Sequence, residues 1–583
     1  MDGANIHLTQ VLIVGAGPAG LMLGCELARR GIDSLVVEQD AQPPAGSRGK
    51  GLQPRTQEIF EDLGILADVQ ALGGLYPALQ VHRDGQVVFE GRMDPLREVT
   101  PDVPYPNIWM LPQWRTGEIL AARYAELGGH VRYGCELASF RQDSDGVTAV
   151  VRGTGSDDGD RNTDGGDADG SSSDGSGGNS SGGNSSGGNS SDGQQEIRAQ
   201  YLVGADGGRS TVRRALGIEF AGETREQQRM IVADVRAEGV GREFWHVWTG
   251  SANGAGDGFM LGLCPLPSTG QFQFTSSVPA DAPAPELTIE ALQQIADDAG
   301  AGQVRLTEVG WTSLWRANMR MAQHFRSGRV FLAGDAAHVH SPAGGQGLNT
   351  SVQDVYNLGW KLAAVLTGAP AALLDSYESE RLPIAADVLG ISTRLHDKAV
   401  EQDPDAHKRD DPELRELNLG YRDSALSQEF RAAPGPVLAG DRAPDAPGTD
   451  AADMPVRLFT LLHSGATTLL AFGPAAAQIA AGLVADRPGS PLRAVAVVPS
   501  AGTIAGAAVG MNADSTGATA STKAGNEVFA DPAGTARAAY GVPSDQDVLL
   551  AIRPDGYVGF AADADDAAAD RAAKYLAQIM ADG

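Results

Sequence analysis

Cysteine is almost missing from this chain. Its 583 residues hold three, Cys25, Cys135 and Cys264, far apart. That excludes a disulfide scaffold and a four-cysteine zinc site, and it points to a reducing cytoplasm. No run approaches the roughly 18 consecutive apolar residues that a membrane span needs. The opening MDGANIHLTQ has neither a basic nor an apolar segment, so no signal peptide is expected. Basic residues are also scarce: 45 against 74 acidic ones, a formal net charge of −29. Nucleic acid and anionic membranes both want a basic face, so neither is an expected partner.

Glycine is what the chain has in plenty, at 75 residues. Part of the excess sits at 153–195, where SGGNS repeats in tandem from Ser176, Ser181 and Ser186. Such a segment buries too little apolar area to offset its ordering entropy, so a disordered loop is expected. The flanks, 147–152 and 196–203, read as strands, which puts the loop at a hairpin tip. Closing a loop longer by some 40 residues costs only about 2 kcal/mol. Asn179, Asn184 and Asn189 match the glycosylation acceptor pattern but read as linker composition.

The rest of the glycine carries chemistry. A strand over 11–14 runs into GAGPAG at 15–20, a helix over 18–30, and a second strand over 34–37. Gly15 allows a tight turn, Gly17 lets the backbone approach a pyrophosphate, and Gly20 lets the helix pack on the strand. Ala16, Pro18 and Ala19 fill the turn and open the helix, whose N-terminus faces the phosphates. Glu38 ends the next strand, where a ribose-binding carboxylate is expected, with Gln39 beside it. This motif does not choose between FAD and NAD.

A second stretch does. Residues 328–349 read as a strand, then Gly334 and Asp335, then a glycine loop opening a helix. An Asp at a strand end can accept hydrogen bonds from ribitol hydroxyls. The amides of Gly345, Gly347, Leu348 and Asn349, at a helix N-terminus, suit the negative charge of a reduced flavin.

With GAGPAG at 15–20, GADGGRSTVR at 204–213 and GDAAH…P…GGQGLN at 334–349, in that order, the chain resembles the class A flavoprotein aromatic hydroxylases of p-hydroxybenzoate hydroxylase-like fold. The resemblance runs over residues 11–397. It implies an α/β fold: a Rossmann-like FAD-binding domain from 1–75, 105–220 and 315–400, and a β-sheet substrate domain from 76–104 and 221–314. It also implies FAD as cofactor, NADPH or NADH as co-substrate, and O₂. The flavin C4a-hydroperoxide then hydroxylates an aromatic ring, whether phenolic, polyketide or heteroaromatic. Arg48 and Gln113 match positions that contact FAD. Asp206 is implicated in FAD and NAD(P)H handling, Asp335 in ribitol or pyrophosphate binding, and Pro342 lies near the reactive flavin edge. Arg48 and Pro342 are the catalytic candidates.

A helical connector is expected over 401–434. Residues 435–583 resemble the degenerate thioredoxin-like domain of the longer aromatic and polyketide hydroxylases. No cysteine follows Cys264, so that unit has no thiol redox chemistry. Trp245, His246, Phe259 and Gln273 are candidate substrate contacts. Alternation puts Trp245 and Val247 on one strand face and His246 and Trp248 on the other. His338 and His340 form an HxH inside the flavin fingerprint, with no third ligand evident, so no metal is expected. Baeyer–Villiger oxygenation of a polycyclic ketone, a non-catalytic flavin-binding assembly role and a homodimer all stay open.

Overall fold

The computed structural model describes residues 6–154, 194–249, 260–278, 283–341, 345–400, 411–463, 465–500 and 527–581. The expected disordered loop, Phe259 and Pro342 lie outside the described residues or almost wholly so.

The first sheet is built on parallel strands. His7–Val14 lies between Ser34–Val37 and Gln194–Gly204, and Val330–Leu332 joins the far side of Gln194–Gly204. Val11, Leu12 and Ile13 are fully buried, as a strand covered on both faces requires. The register aligns Val14 with Val37 and Gly204, and Gly204 with Leu332. The C-terminal ends of four strands therefore stand side by side. Glu38, Gly15, Asp206 and Asp335 all follow within three residues of that edge, so the alignment gathers three separate motifs where α/β sheets bind ligands. Helices Pro18–Ala28 and Gly347–Leu366 pack against each other beside it. The expected hairpin is present: Val147–Gly153 pairs antiparallel with Gln194–Gly204.

The second sheet has eight strands. The long Phe220–Glu238 and Arg305–Ala322 pair antiparallel, followed in order by Phe272–Val278, Met260–Pro265, Phe244–Thr249, Ala78–Arg83 and Gln86–Gly91. Helix Ile289–Asp298 covers one face, burying Leu292 and Ala296 against Ile231, Leu261, Phe274 and Trp248. The opposite face meets the loop 46–51.

The third sheet is mixed. Thr467–Phe472 runs parallel to Leu492–Val498 and antiparallel to Val548–Ile552. Helices Pro474–Ala485 and Ala568–Ile579 close over Leu469, Leu549 and Phe560. One expectation fails nearby. In the described part of the connector, residues 411–434, there is no α-helix, only the short 3₁₀ turn Pro412–Arg415 and the strand Gln428–Glu429. Pro412, Gly420 and Pro434 interrupt any helical run there. The helix precedes it, as Asp375–Val400. No helix among the described residues is long and apolar enough to cross a membrane.

Candidate active site

The three glycines of the first turn differ in what surrounds them. Gly15 has φ +104°, and a Cβ there would lie 2.4 Å from the Ala205 carbonyl oxygen. A Cβ on Gly20 would lie 1.9 Å from the Gly15 oxygen, so the helix can approach the strand only without one. At Gly17 a Cβ would meet nothing within 4 Å. Packing explains the outer two; the middle one borders open space. Helix Pro18–Ala28 starts there with no side-chain cap, so its first amides are free to meet an anion. Glu38 accepts from the Ala16 amide (2.7 Å) and the Asp40 amide (3.1 Å), which ties it to the turn and leaves further lone pairs. Gln39 is exposed.

Asp206 accepts from the Val212 amide at 3.1 Å through one oxygen, while its other oxygen is buried without a partner. Burial pushes its carboxyl pKa up. Arg213 donates to the Ala336 carbonyl (2.8 Å) and so ties this motif to the Asp335 turn.

Asp335 sits in the turn Gly334–Ala336, at the end of Val330–Leu332. Its side chain is accessible although protein surrounds it, as for a group lining an internal cleft. Desolvation raises its pKa, with His338 and Arg48 opposing. The turn is held from behind by Asp354, fully buried. Asp354 accepts from the Gly334 amide (3.1 Å), His338 (2.6 Å) and Arg381 (2.8 Å). Burial disfavours its charge, but His338 and Arg381 outweigh that and hold it at about 2. His338 also bonds His340 at 2.9 Å, and burial drives His340 down to about 3. Both ring nitrogens of His338 are engaged, by Asp354 and His340, while the second nitrogen of His340 is buried without a partner.

Asn349 and Gln113 act on the loop 46–51. Asn349 accepts from the Gln53 amide (2.8 Å) and donates to the carbonyls of Gly51 (2.9 Å) and Gly345 (2.8 Å). Gln113 accepts from the Gly49 amide at 2.9 Å. Leu348 packs on the core and beside Gly49. A Cβ on Gly345 or Gly347 would meet no protein within 4 Å.

The same loop bridges to the second sheet. Arg48 is exposed, with its guanidinium 5.8 Å from the Trp311 ring and Asp335 within electrostatic reach. Lys50 reaches the same face further along, donating to Gln273 Oε1 with its ammonium 4.2 Å from the Trp245 ring centroid. Gln273 in turn donates to the Ser47 carbonyl. Asp234 stands directly opposite Gln273 in register and opposite Trp311 on its other side. It is 3% exposed and one oxygen has no partner. Burial pushes it up to about 6, against the pull of Ser47 and Lys50. Lys50, Asp234 and Trp311 were absent from the sequence-based candidates. The usable signal was parity: Asp234 is a lone carboxylate in the apolar run 230–235, on the face opposite Ile231 and Ala233.

Parity also corrects one candidate. Trp245 and Gln273 face the loop, but His246 points to the other face, where it meets His82 (3.1 Å) and lies beside Trp248. That face is covered by helix Ile289–Asp298, so His246 does not line the cleft. Adjacent strand residues cannot share a face.

The residues fit FAD. Gly17 opens onto space that a pyrophosphate can fill, Asp206 holds an orphaned buried oxygen, and Asp335 is accessible with Arg48 within electrostatic reach. A family model described as FAD binding domain matches residues 8–163 and 183–392, more than half of the chain. A flavin-dependent monooxygenase of Mycobacteroides abscessus is 43% identical over 475 residues, covering 81% of this chain and 90% of that protein. The 12-dehydrotetracycline 5-monooxygenase/anhydrotetracycline 6-monooxygenase of Streptomyces rimosus is 34% identical, covering 79% and 85%. The crystal structure of aklavinone-11 hydroxylase with FAD and aklavinone matches 99% of both chains, with a TM-score of 0.73 and 26% identity. On that similarity and this geometry, the chain belongs to the FAD-dependent monooxygenases that hydroxylate aromatic substrates.

Proposed function

We propose that the face of the second sheet that carries Trp245 and Trp311, beside the loop 46–51, takes a fused-ring, electron-rich aromatic substrate of the polyketide kind. The carrying observation is the breadth of that face. Trp245 lies on Phe244–Thr249, and Trp311 and Trp315 on Arg305–Ala322, four strand spacings away. At about 4.8 Å per spacing the tryptophans at the two ends stand about 19 Å apart, with Asp234, Gln273 and Cys264 in the row between them, a span longer than a single phenol ring needs. Two of the similar proteins carry anhydrotetracycline and aklavinone in their names, which supports the same class.

Bound FAD, reduced by NADPH or NADH, supplies with O₂ the electrophilic oxygen. The chain's own residues do the rest. The helix amides after Gly17 and the carboxylates of Glu38, Asp206 and Asp335 hold the cofactor. Trp245, Trp311 and Trp315 exclude water and orient the ring. Arg48, between Asp335 and Trp311, is the contact shared by the cofactor side and the substrate side.

A panel of fused-ring and single-ring phenols tests this, with NADPH and NADH compared directly. Fused-ring phenols should accelerate NAD(P)H oxidation and yield a product heavier by one oxygen. Acceleration by single-ring phenols alone would overturn the substrate class.

A further inference from the structure

Between the third sheet and the Asp335 turn runs a chain of buried charge. Arg553, just past strand Val548–Ile552, makes a two-pronged contact with Glu380 at 2.7 and 2.8 Å. Its guanidinium also lies 5.1 Å from the Tyr421 ring. Tyr421 accepts from Arg381 at 3.1 Å, and Arg381 donates to Asp354 at 2.8 Å. Asp354 accepts the Gly334 amide, one residue before Asp335. Glu380 and Arg381 are neighbours on helix Asp375–Val400, one engaged by the third sheet's unit and the other by the turn. Arg381, Arg553 and Asp354 are 2% exposed or less.

Buried ion pairs contribute little net stability, because desolvation offsets their attraction. What they do supply is direction: charge-assisted bonds with fixed forks hold one geometry. We propose that Tyr421, Arg381 and Asp354 are positioning residues for the cofactor turn, and that the C-terminal unit, through Arg553, sets where Asp335 stands. This rests on the reading that Asp335 holds FAD. It gives the cysteine-free unit a task that thiol chemistry cannot: it is the back support of the flavin site.

The test uses the full chain and the affinity of its apoprotein for FAD, read from flavin fluorescence. Tyr421→Phe removes one hydroxyl and keeps the ring under Arg553. It should weaken FAD binding about five- to tenfold. Asp335→Ala should weaken it at least tenfold. In the Asp335→Ala background, Tyr421→Phe should cost no further affinity, because its effect passes through Asp335. Wild-type affinity in Asp335→Ala would overturn the reading of the site. Weakened binding there, with wild-type affinity in a folded Tyr421→Phe, would overturn the positioning role. So would two losses that simply multiply, since a merely structural defect does not depend on Asp335. Should Tyr421→Phe fail to fold, Arg553→Lys keeps the charge and loses the fork, and the same outcomes apply to it.

Discussion

Gly17 and Gly20 are three residues apart in one motif, yet the structure assigns their replacements opposite phenotypes. Gly17 has φ −70° and ψ 176°, an extended conformation open to any residue, and its Cβ would meet no protein atom within 4 Å. Gly17→Ala should therefore leave the apoprotein within about 1 kcal/mol of wild type, the cost of losing glycine at a helix N-cap. Its methyl group would stand where the pyrophosphate approaches. Losing one charge-assisted bond from the helix amides, worth about 1.5–3 kcal/mol, weakens FAD about tenfold to a hundredfold. Gly20→Ala does the reverse in order. Its Cβ would sit 1.9 Å from the Gly15 oxygen and 3.4 Å from Ile13, so the helix must move off the strand. Overpacking of that kind costs about 1–3 kcal/mol in the apoprotein itself. Thermal unfolding of both apoproteins and FAD titration of both separate the two effects. Equal destabilisation by the two variants, or wild-type FAD affinity in Gly17→Ala, would refute the assignment.

Three further outcomes follow from the loop and the sheet beneath it. Arg48→Ala should raise the share of NADPH oxidation that ends in hydrogen peroxide, measured by a peroxide assay beside product formation. Lys50→Met keeps the stem but loses the bond to Gln273 and the ammonium over Trp245, so it should loosen the loop and raise the peroxide share as well. Asp234 has a folded-state pKa of about 6 against an ordinary 3.8. Its contribution to stability is full below about pH 4 and is lost as pH rises through about 6. Asp234→Asn should thus melt higher than wild type at pH 8, by up to about 3 kcal/mol of stability, and lose most of that advantage by about pH 4. A difference that does not change with pH would show that Asp234 is not held near 6.

How much of this was legible beforehand depends on the range of the interaction. The turn at Gly15–Gly20, the helix after it, the Asp335 turn and the strand Val147–Gly153 are encoded within a few residues of themselves. Backbone sterics at glycine and the alternation of apolar residues act locally, so the sequence by itself determined these elements, the FAD chemistry they suit and the order of the three motifs. The parity of Trp245 against His246 was readable too. Which parity faces the cleft was not, because helix Ile289–Asp298 decides it by covering one side. Asn349 and Gln113 were recognised by type, yet their side-chain partners are Gly51 and Gly49, brought to them only by folding. The same holds for Lys50 against Gln273 and for Arg553 against Glu380, pairs 223 and 173 residues apart. A buried charge finds its partner through the docking of whole sheets and helices, and no pattern along the chain carries that information. Only the tertiary structure could place the second sheet's polar cluster under the Arg48 loop and the C-terminal unit behind the cofactor turn.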